Sequence, residues 1–270
     1  MNCIFCENET STDRSIEHII PESLGNKDHT LPRGVVCDKC NNYFARKVES
    51  PILDLEYFKL TRNEEGLFNK RGRPVTITAL FKDETGGYLS TDIGISPDGD
   101  TLNIHILNEM VFDRIRSGDG INEVMFLKAP MEPPVGLLGR FLAKIAVESF
   151  VLRLLDAPNF LQDFIREESL KPIRKYARYG GEDWVYHQRI LYPRNYPQPD
   201  LIPNEYYQCL HEFDFLYTTD SELYFVLAIF GVEYVINMGN PSIDGYQRWL
   251  EKNDYISPLY TEKNIQAMKV

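Results

Sequence analysis

Four of the five cysteines stand in two Cys-x-x-Cys pairs, Cys3 with Cys6 and Cys37 with Cys40, and between the pairs runs Glu17-His18-Ile19-Ile20-Pro21. Two knuckles spaced in this way offer four thiolates to one soft divalent ion, and zinc favours that donor set in a tetrahedron. Four thiolates close the shell, so the zinc is structural and leaves no position for water or substrate. The fifth cysteine, Cys209, stands far from the rest and no targeting segment is expected ahead of Cys3, which favours a metal cluster over disulfides. Chemistry must come from the polar residues in and after the loop: Glu17, His18, Asn26, His29, Asn41 and Asn42. An imidazole titrates near neutrality and can take a proton from water, while carboxylate and amide oxygens can hold a hard cation.

The combination Cys3, Cys6, Glu17-His18-Ile19-Ile20-Pro21, Ser23-Leu24-Gly25 and Cys37-Asp38-Lys39-Cys40-Asn41-Asn42 resembles the HNH endonucleases. The resemblance covers about the first fifth of the chain and implies a ββα-metal module, a hairpin followed by a helix with zinc knuckles around it. It implies that His18 is the general base that deprotonates the attacking water. It further implies that Glu17 is the acidic ligand of a catalytic Mg²⁺ or Mn²⁺ ion, and that Asn41 is the second ligand. A hydrolase acting on an anionic phosphodiester needs a base, a cation on the scissile phosphate and stabilisation of the leaving oxygen, and this set would supply them. The chain departs from the family pattern at one point. No Asn stands in Thr30-Leu31-Pro32-Arg33-Gly34-Val35-Val36, where the middle Asn that orients the base is expected, so either a backbone carbonyl or the more distant Asn26 orients His18, or activity is weakened. His29 reads as an exposed loop histidine, with a third metal ligand or a phosphate contact as the alternative.

Adjacent residues of a regular strand point to opposite faces, so Glu17 and His18 converge only at a twist, bulge or strand end; Pro21 suits a strand that stops just after them. On the helical side, Cys40, Phe44 and Val48 recur every fourth residue as one buried stripe, and Asn41 lies about 100° around from Cys40, in the first turn. Segment 1–52 is too short to bury a core of its own, and the zinc answers that need.

The fold class is α+β: a zinc-stapled ββα module over 1–52, then a mixed α+β domain over 53–270 that recognises, regulates or oligomerises. Strands are expected over Val75–Phe81, Gly87–Ile95 and Thr101–Leu107, with turns at Gly86-Gly87 and Pro97-Asp98-Gly99, and a break at Met131-Glu132-Pro133-Pro134. Apolar spacing predicts a long helix over Leu137–Leu155, on which Lys144 and Glu148 form an i, i+4 ion pair. A second helical stretch spans Pro158–Tyr179, interrupted near Pro172, and strands return at Trp184–Leu191, Glu212–Tyr217, Glu222–Phe230 and Glu233–Asn237, with a tight turn at Gly231 and a helical tail over Ser242–Asn253. The aromatic run Tyr176, Tyr179, Trp184, Tyr186 and Tyr192 with Arg178 and Arg189 reads as core and sheet face rather than a base-stacking surface, and His105, His187 and His211 as structural or surface groups.

The net charge of −11 is unhelpful for phosphate binding, so a local basic face is required. Its best representative is Lys70-Arg71-Gly72-Arg73-Pro74, with Arg33, Lys39, Arg46 and Lys47 in the module and Arg174, Lys175 and Arg178 later. No apolar run approaches a membrane span, so a cytoplasmic enzyme is expected, acting on DNA, with RNA as an open alternative and a homodimer or partner subunit for double-strand cutting. A role in restriction or anti-phage defence follows from the resemblance alone. The competing class is a non-catalytic zinc-ribbon adaptor for DNA or protein.

Overall fold

The structure is a computed structural model that describes residues 1–83, 86–98, 101–106, 108–118, 121–126, 134–182, 184–192, 198–199, 206–207 and 211–260. Gly99, Leu107, the break at 131–133 and Cys209 lie outside the described residues. The first elements are short: β1 (Glu17–His18) pairs antiparallel with β2 (Thr30–Leu31), Glu17 opposite Leu31 and His18 opposite Thr30. Helix α1 (Asp38–Phe44) starts at Cys37, whose Sγ accepts from the backbone N–H of Cys40, and runs into a π-type turn over Ala45–Glu49. Cys40, Phe44 and Val48 are fully buried, as the four-residue recurrence requires.

Chain 50–126 holds α2 (Ser50–Leu53), α3 (Glu56–Glu64), β3 (Thr76–Asp83), β4 (Tyr88–Asp98), β5 (Thr101–Ile106), α4 (Glu109–Ser117) and β6 (Ile121–Phe126), in an antiparallel sheet of order β5-β4-β3-β6. Its core gathers Ala79, Phe81, Ile93 and Val111. Of these elements, α2, α3, α4 and β6 were not expected; none is longer than 9 residues, so each offers little pattern to read.

The remainder begins with α5 (Val135–Leu154), α6 (Phe160–Arg166) and α7 (Lys171–Tyr179). The interruption falls at 167–170, one turn earlier than Pro172, because proline is tolerated in the first turn of α7, where its missing N–H has no intrahelical partner. Strands β7 (Tyr186–Ile190), β8 (Gln198–Pro199), β9 (Tyr206–Tyr207), β10 (His211–Tyr217), β11 (Leu223–Ile229) and β12 (Val232–Asn237) follow, and α8 (Asp244–Lys252) comes last. The main sheet is antiparallel in the order β10-β11-β12-β7. One face packs on α8 through Tyr224, Val226, Ala228 and Val235 against Ile243, Tyr246 and Leu250. On the other, Phe225 meets Phe215, which meets Phe150 of α5, so the central strand is apolar on both sides. The β11–β12 turn needs left-handed backbone at Phe230 and Gly231, and a Cβ on Gly231 would lie 2.4 Å from the carbonyl of Tyr192.

Two compact units emerge: Met1–Ile20, Asn26–Glu49 and Pro134–Val270 form one, and Pro21–Gly25 with Ser50–Pro133 the other. The division along the chain at 52/53 is therefore not how compactness divides it: the cysteine segment shares a unit with α5, α7 and the β7–β12 sheet. In the second unit, buried Arg62 of α3 donates through Nε to the carbonyl of Ser23 at 2.9 Å. Among the described residues, no helix is long and apolar enough to cross a membrane.

Candidate active site

The two knuckles meet through backbone bonds, with Ile4 N–H donating to Val35 O at 3.0 Å, and the four Sγ atoms of Cys3, Cys6, Cys37 and Cys40 lie within 4.8 Å of one another. A tetrahedron with Zn–S bonds of about 2.3 Å places sulfurs about 3.8 Å apart, and the Cys6–Cys37 separation is 3.6 Å. The backbone N–H groups of Cys37 and Cys40 donate to Sγ of Cys3 and Cys37 at 3.4 and 3.3 Å, which stabilises sulfur in its anionic form. Without a cation the thiols compete for charge. A hydrogen bond from Cys40 brings Cys3 down to about 5, whereas burial pushes Cys37 up to about 11, and the hydrogen bond with Cys3 drives Cys40 up further still. A divalent ion would resolve that competition, and the four cysteines fit zinc.

The zinc site is braced by α7, one turn apart. Arg174 donates to the carbonyl of Ile4 at 3.1 Å, and Arg178 donates through Nε to Sγ of Cys40 at 3.3 Å while lying 3.6 Å from the Tyr43 ring centroid. Both arginines are buried, so these two members of the expected phosphate-gripping set are corrected to knuckle supports; Lys175 remains exposed. The other cations, Arg33, Lys39, Arg46, Lys47, Lys70, Arg71 and Arg73, are exposed. Lys70, Arg71 and Arg73 lie on a turn in which Asn69 Oδ1 accepts from the N–H groups of Arg71 and Arg73 at 2.8 and 3.2 Å.

His18 and Glu17 leave the hairpin on opposite sides, as strand geometry demands. His18 is half-buried, and its Nδ1 is enclosed with no hydrogen-bond partner among the described residues, so proton exchange with a substrate water would run through Nε2. Glu17 is buried and its Oε1 lies 2.7 Å from Nζ of Lys144. Asn41 reaches the hairpin from α1, where its Nδ2 donates to the carbonyl of Ile16 at 3.2 Å. The Glu17/Asn41 pair does not fit a divalent-ion site in this arrangement, because a hard cation would have to displace the lysine ammonium from Glu17.

Lys144 is the residue that sequence reasoning underrated. It does form the i, i+4 pair with Glu148, at 3.0 Å, but that pair is wholly buried and belongs to a larger cluster. Nζ also meets Glu49 Oε1 at 2.7 Å and the carbonyls of His18 and Ile19 at 3.0 and 3.1 Å. Burial acts to lower the Lys144 pKa, yet Glu148, Glu17 and Glu49 outweigh it and hold the ammonium well above its ordinary value. Glu148 moves well above the carboxylate range through burial, opposed by Lys144. Glu17 and Glu49, which face the same ammonium, push it in the same direction as burial does. One signal for the cluster was legible: Lys144 and Glu148 interrupt Ala143-Lys144-Ile145-Ala146-Val147-Glu148, a helix stretch apolar on every side.

Asn26 is buried and fully engaged. Its Nδ2 donates to Ile20 O and His29 O at 2.7 and 3.0 Å, and its Oδ1 accepts from Asp28 and His29 N–H at 3.2 and 2.9 Å, so it pins the loop and has no capacity left for His18. His29 is not the exposed histidine expected. It is half-buried, edge-on to Phe213 at 5.2 Å and His211 at 5.8 Å, because the loop closes onto β10. In the aromatic run, Tyr176 and Trp184 are core, 5.6 Å apart, while Tyr179 is exposed.

Residues 3–54 match a family model described as HNH endonuclease. No curated protein and no solved structure matches the chain. The match spans both knuckles, the hairpin, α1 and α2, and stops before α3.

Proposed function

We propose that this HNH segment makes the protein a metal-dependent endonuclease that hydrolyses DNA phosphodiester bonds, with His18 as general base. The observation that carries the reading is the setting of His18: a half-buried imidazole on a hairpin bracketed by a four-thiolate cluster, inside the stretch that matches the family. Water approaching Nε2 would lose its proton there as it attacks phosphorus. Zinc on Cys3, Cys6, Cys37 and Cys40 supplies structure, since it has no open position. A catalytic Mg²⁺ or Mn²⁺ on Glu17 and Asn41 belongs to the reading through the family, and the inward-facing Glu17 lends it no support. Lys70, Arg71, Arg73 and Arg33 are the proposed phosphate contacts. A single site cuts one strand, so double-strand cutting calls for a homodimer or two binding events, and restriction or anti-phage defence is the proposed setting.

The Glu17–Lys144 contact favours a second reading, a zinc-ribbon adaptor that binds DNA or protein without cutting. Cleavage of supercoiled plasmid with Mg²⁺ or Mn²⁺, by wild type and His18→Ala of equal zinc content, separates the two. Metal-dependent nicking that disappears in the variant supports the nuclease. Equal inactivity of both, on DNA and on a parallel RNA substrate, rejects it in favour of the adaptor.

A further inference from the structure

His18 has no side-chain hydrogen bond at Nδ1 among the described residues, and Asn26 is spent on its own loop. The placement of the imidazole therefore depends on the backbone beneath it. That backbone is a two-residue strand with a two-pair ladder, too short to hold an angle by itself. Its end is gripped from α5: the carbonyls of His18 and Ile19 both accept from Lys144 Nζ, and Glu17 on the same strand pairs with it at 2.7 Å. The ammonium reaches two further carboxylates, Glu49 on the turn that continues the zinc-bearing helix and Glu148 on α5 itself. Five oxygens around three N–H donors make Lys144 a shared tie between the hairpin, the zinc helix and α5.

We propose that Lys144, which lies outside the HNH match, is a positioning residue of the nuclease site: it sets the height and angle at which the strand presents His18 to substrate. The proposal rests on His18 being the base. It assigns α5 a part in the reaction, so the chain beyond the match does more than choose where to cut. A purely architectural lysine would support the fold and leave turnover alone.

The test uses the full zinc-loaded chain. Lys144→Met strands Glu17, Glu49 and the wholly buried Glu148 without a cation, and Lys144→Met/Glu148→Leu removes the deepest of the three by exchanging the α5 pair for apolar side chains of similar volume, so the double variant is the informative one. Lys144→Arg is the conservative partner. Steady-state plasmid cleavage is read as kcat and KM, beside zinc content, melting temperature and backbone hydrogen exchange. We expect kcat of the double variant to fall about 10- to 100-fold with KM within about twofold, since small misplacements of reacting groups cost that much. Exchange should accelerate at the amides of residues 18–20 and 29–31 but not across α1, and Lys144→Arg should recover part of kcat. A folded, zinc-loaded double variant with wild-type kcat overturns the proposal, as does a loss of kcat that merely tracks lost zinc. Should the double variant not fold, Lys144→Arg decides: reduced kcat with unchanged KM and zinc supports the role, and wild-type kcat removes it. A wild type that cuts neither DNA nor RNA rejects the nuclease reading and this role with it, whereas an active wild type beside an indifferent variant rejects the role alone.

Discussion

Nε of Arg178 lies 3.3 Å from Sγ of Cys40, donating a hydrogen bond from α7 to a ligand of the proposed zinc site, and the guanidinium covers the Tyr43 ring one turn further along α1. The bond links the zinc site to a helix far away in the chain. It also compensates burial: the guanidinium would be lowered by its surroundings, and the Cys40 sulfur raises it instead. Charge-assisted bonds to coordinating sulfur stabilise the thiolate and orient it.

Arg178→Met keeps the aliphatic stem and removes the donor. Zinc should remain bound at one per chain but transfer to a competing chelator with an affinity lower by about 10- to 100-fold, the usual scale for loss of an outer-shell partner. Titration with a chromophoric chelator checks this. An unchanged affinity would reduce Arg178 to packing on Tyr43.

The exposed turn carrying Lys70, Arg71 and Arg73 is shaped by Asn69 and not by the three cations, so all three can become alanine without loss of fold. If they grip phosphate, the slope of log K for duplex DNA against log salt should flatten by about 0.9 for each cation removed. Fluorescence anisotropy across a salt series measures it. A slope equal to that of wild type would leave the turn a solvated feature.

Two histidines make stability depend on pH. His187, against the Tyr246 ring, is lowered by burial, with Glu233 opposing and Arg189 adding; His211 is lowered by burial and by the neighbouring His29, with Asp28 opposing. A depressed folded value means that the unfolded chain binds protons first, so this contribution is complete above about pH 6.5 and is lost as pH falls through the lower folded values. Glu148 and Glu212, both raised chiefly by burial, act in the opposite sense, contributing most below the ordinary carboxylate range. The comparison must therefore be with variants: the drop in unfolding free energy from pH 7.5 to pH 5.5, measured by urea titration, should be smaller in His187→Gln and His211→Gln than in wild type, by at most about 1.4 kcal/mol per pH unit per site. Equal drops would show that neither histidine is held neutral.

Much was settled by residue order alone. The paired Cys-x-x-Cys spacing specified a four-sulfur cluster because two-residue gaps in short turns bring thiols together whatever surrounds them. The buried stripe of Cys40, Phe44 and Val48, the long helix over α5 and the tight turn at Gly231 were legible for the same reason: helix period and positive φ are local rules. The elements missed over 50–126, α2, α3, α4 and β6, are short, and packing completes them.

Only tertiary structure decided where the charges go. Lys144 with Glu148 looked like one helical ion pair, and Arg174 with Arg178 like a basic helix face; in the fold all four are buried, the first pair on the hairpin and the second on the knuckles. No local rule reports this, because the partners Glu17, Glu49, Ile4 and Cys40 are supplied by distant chain. A charge enters the interior only where such partners are already assembled, since an unpaired buried charge costs several kcal/mol or more. The same long-range assembly turned Glu17 inward to Lys144 and left His18 on the other side of the strand.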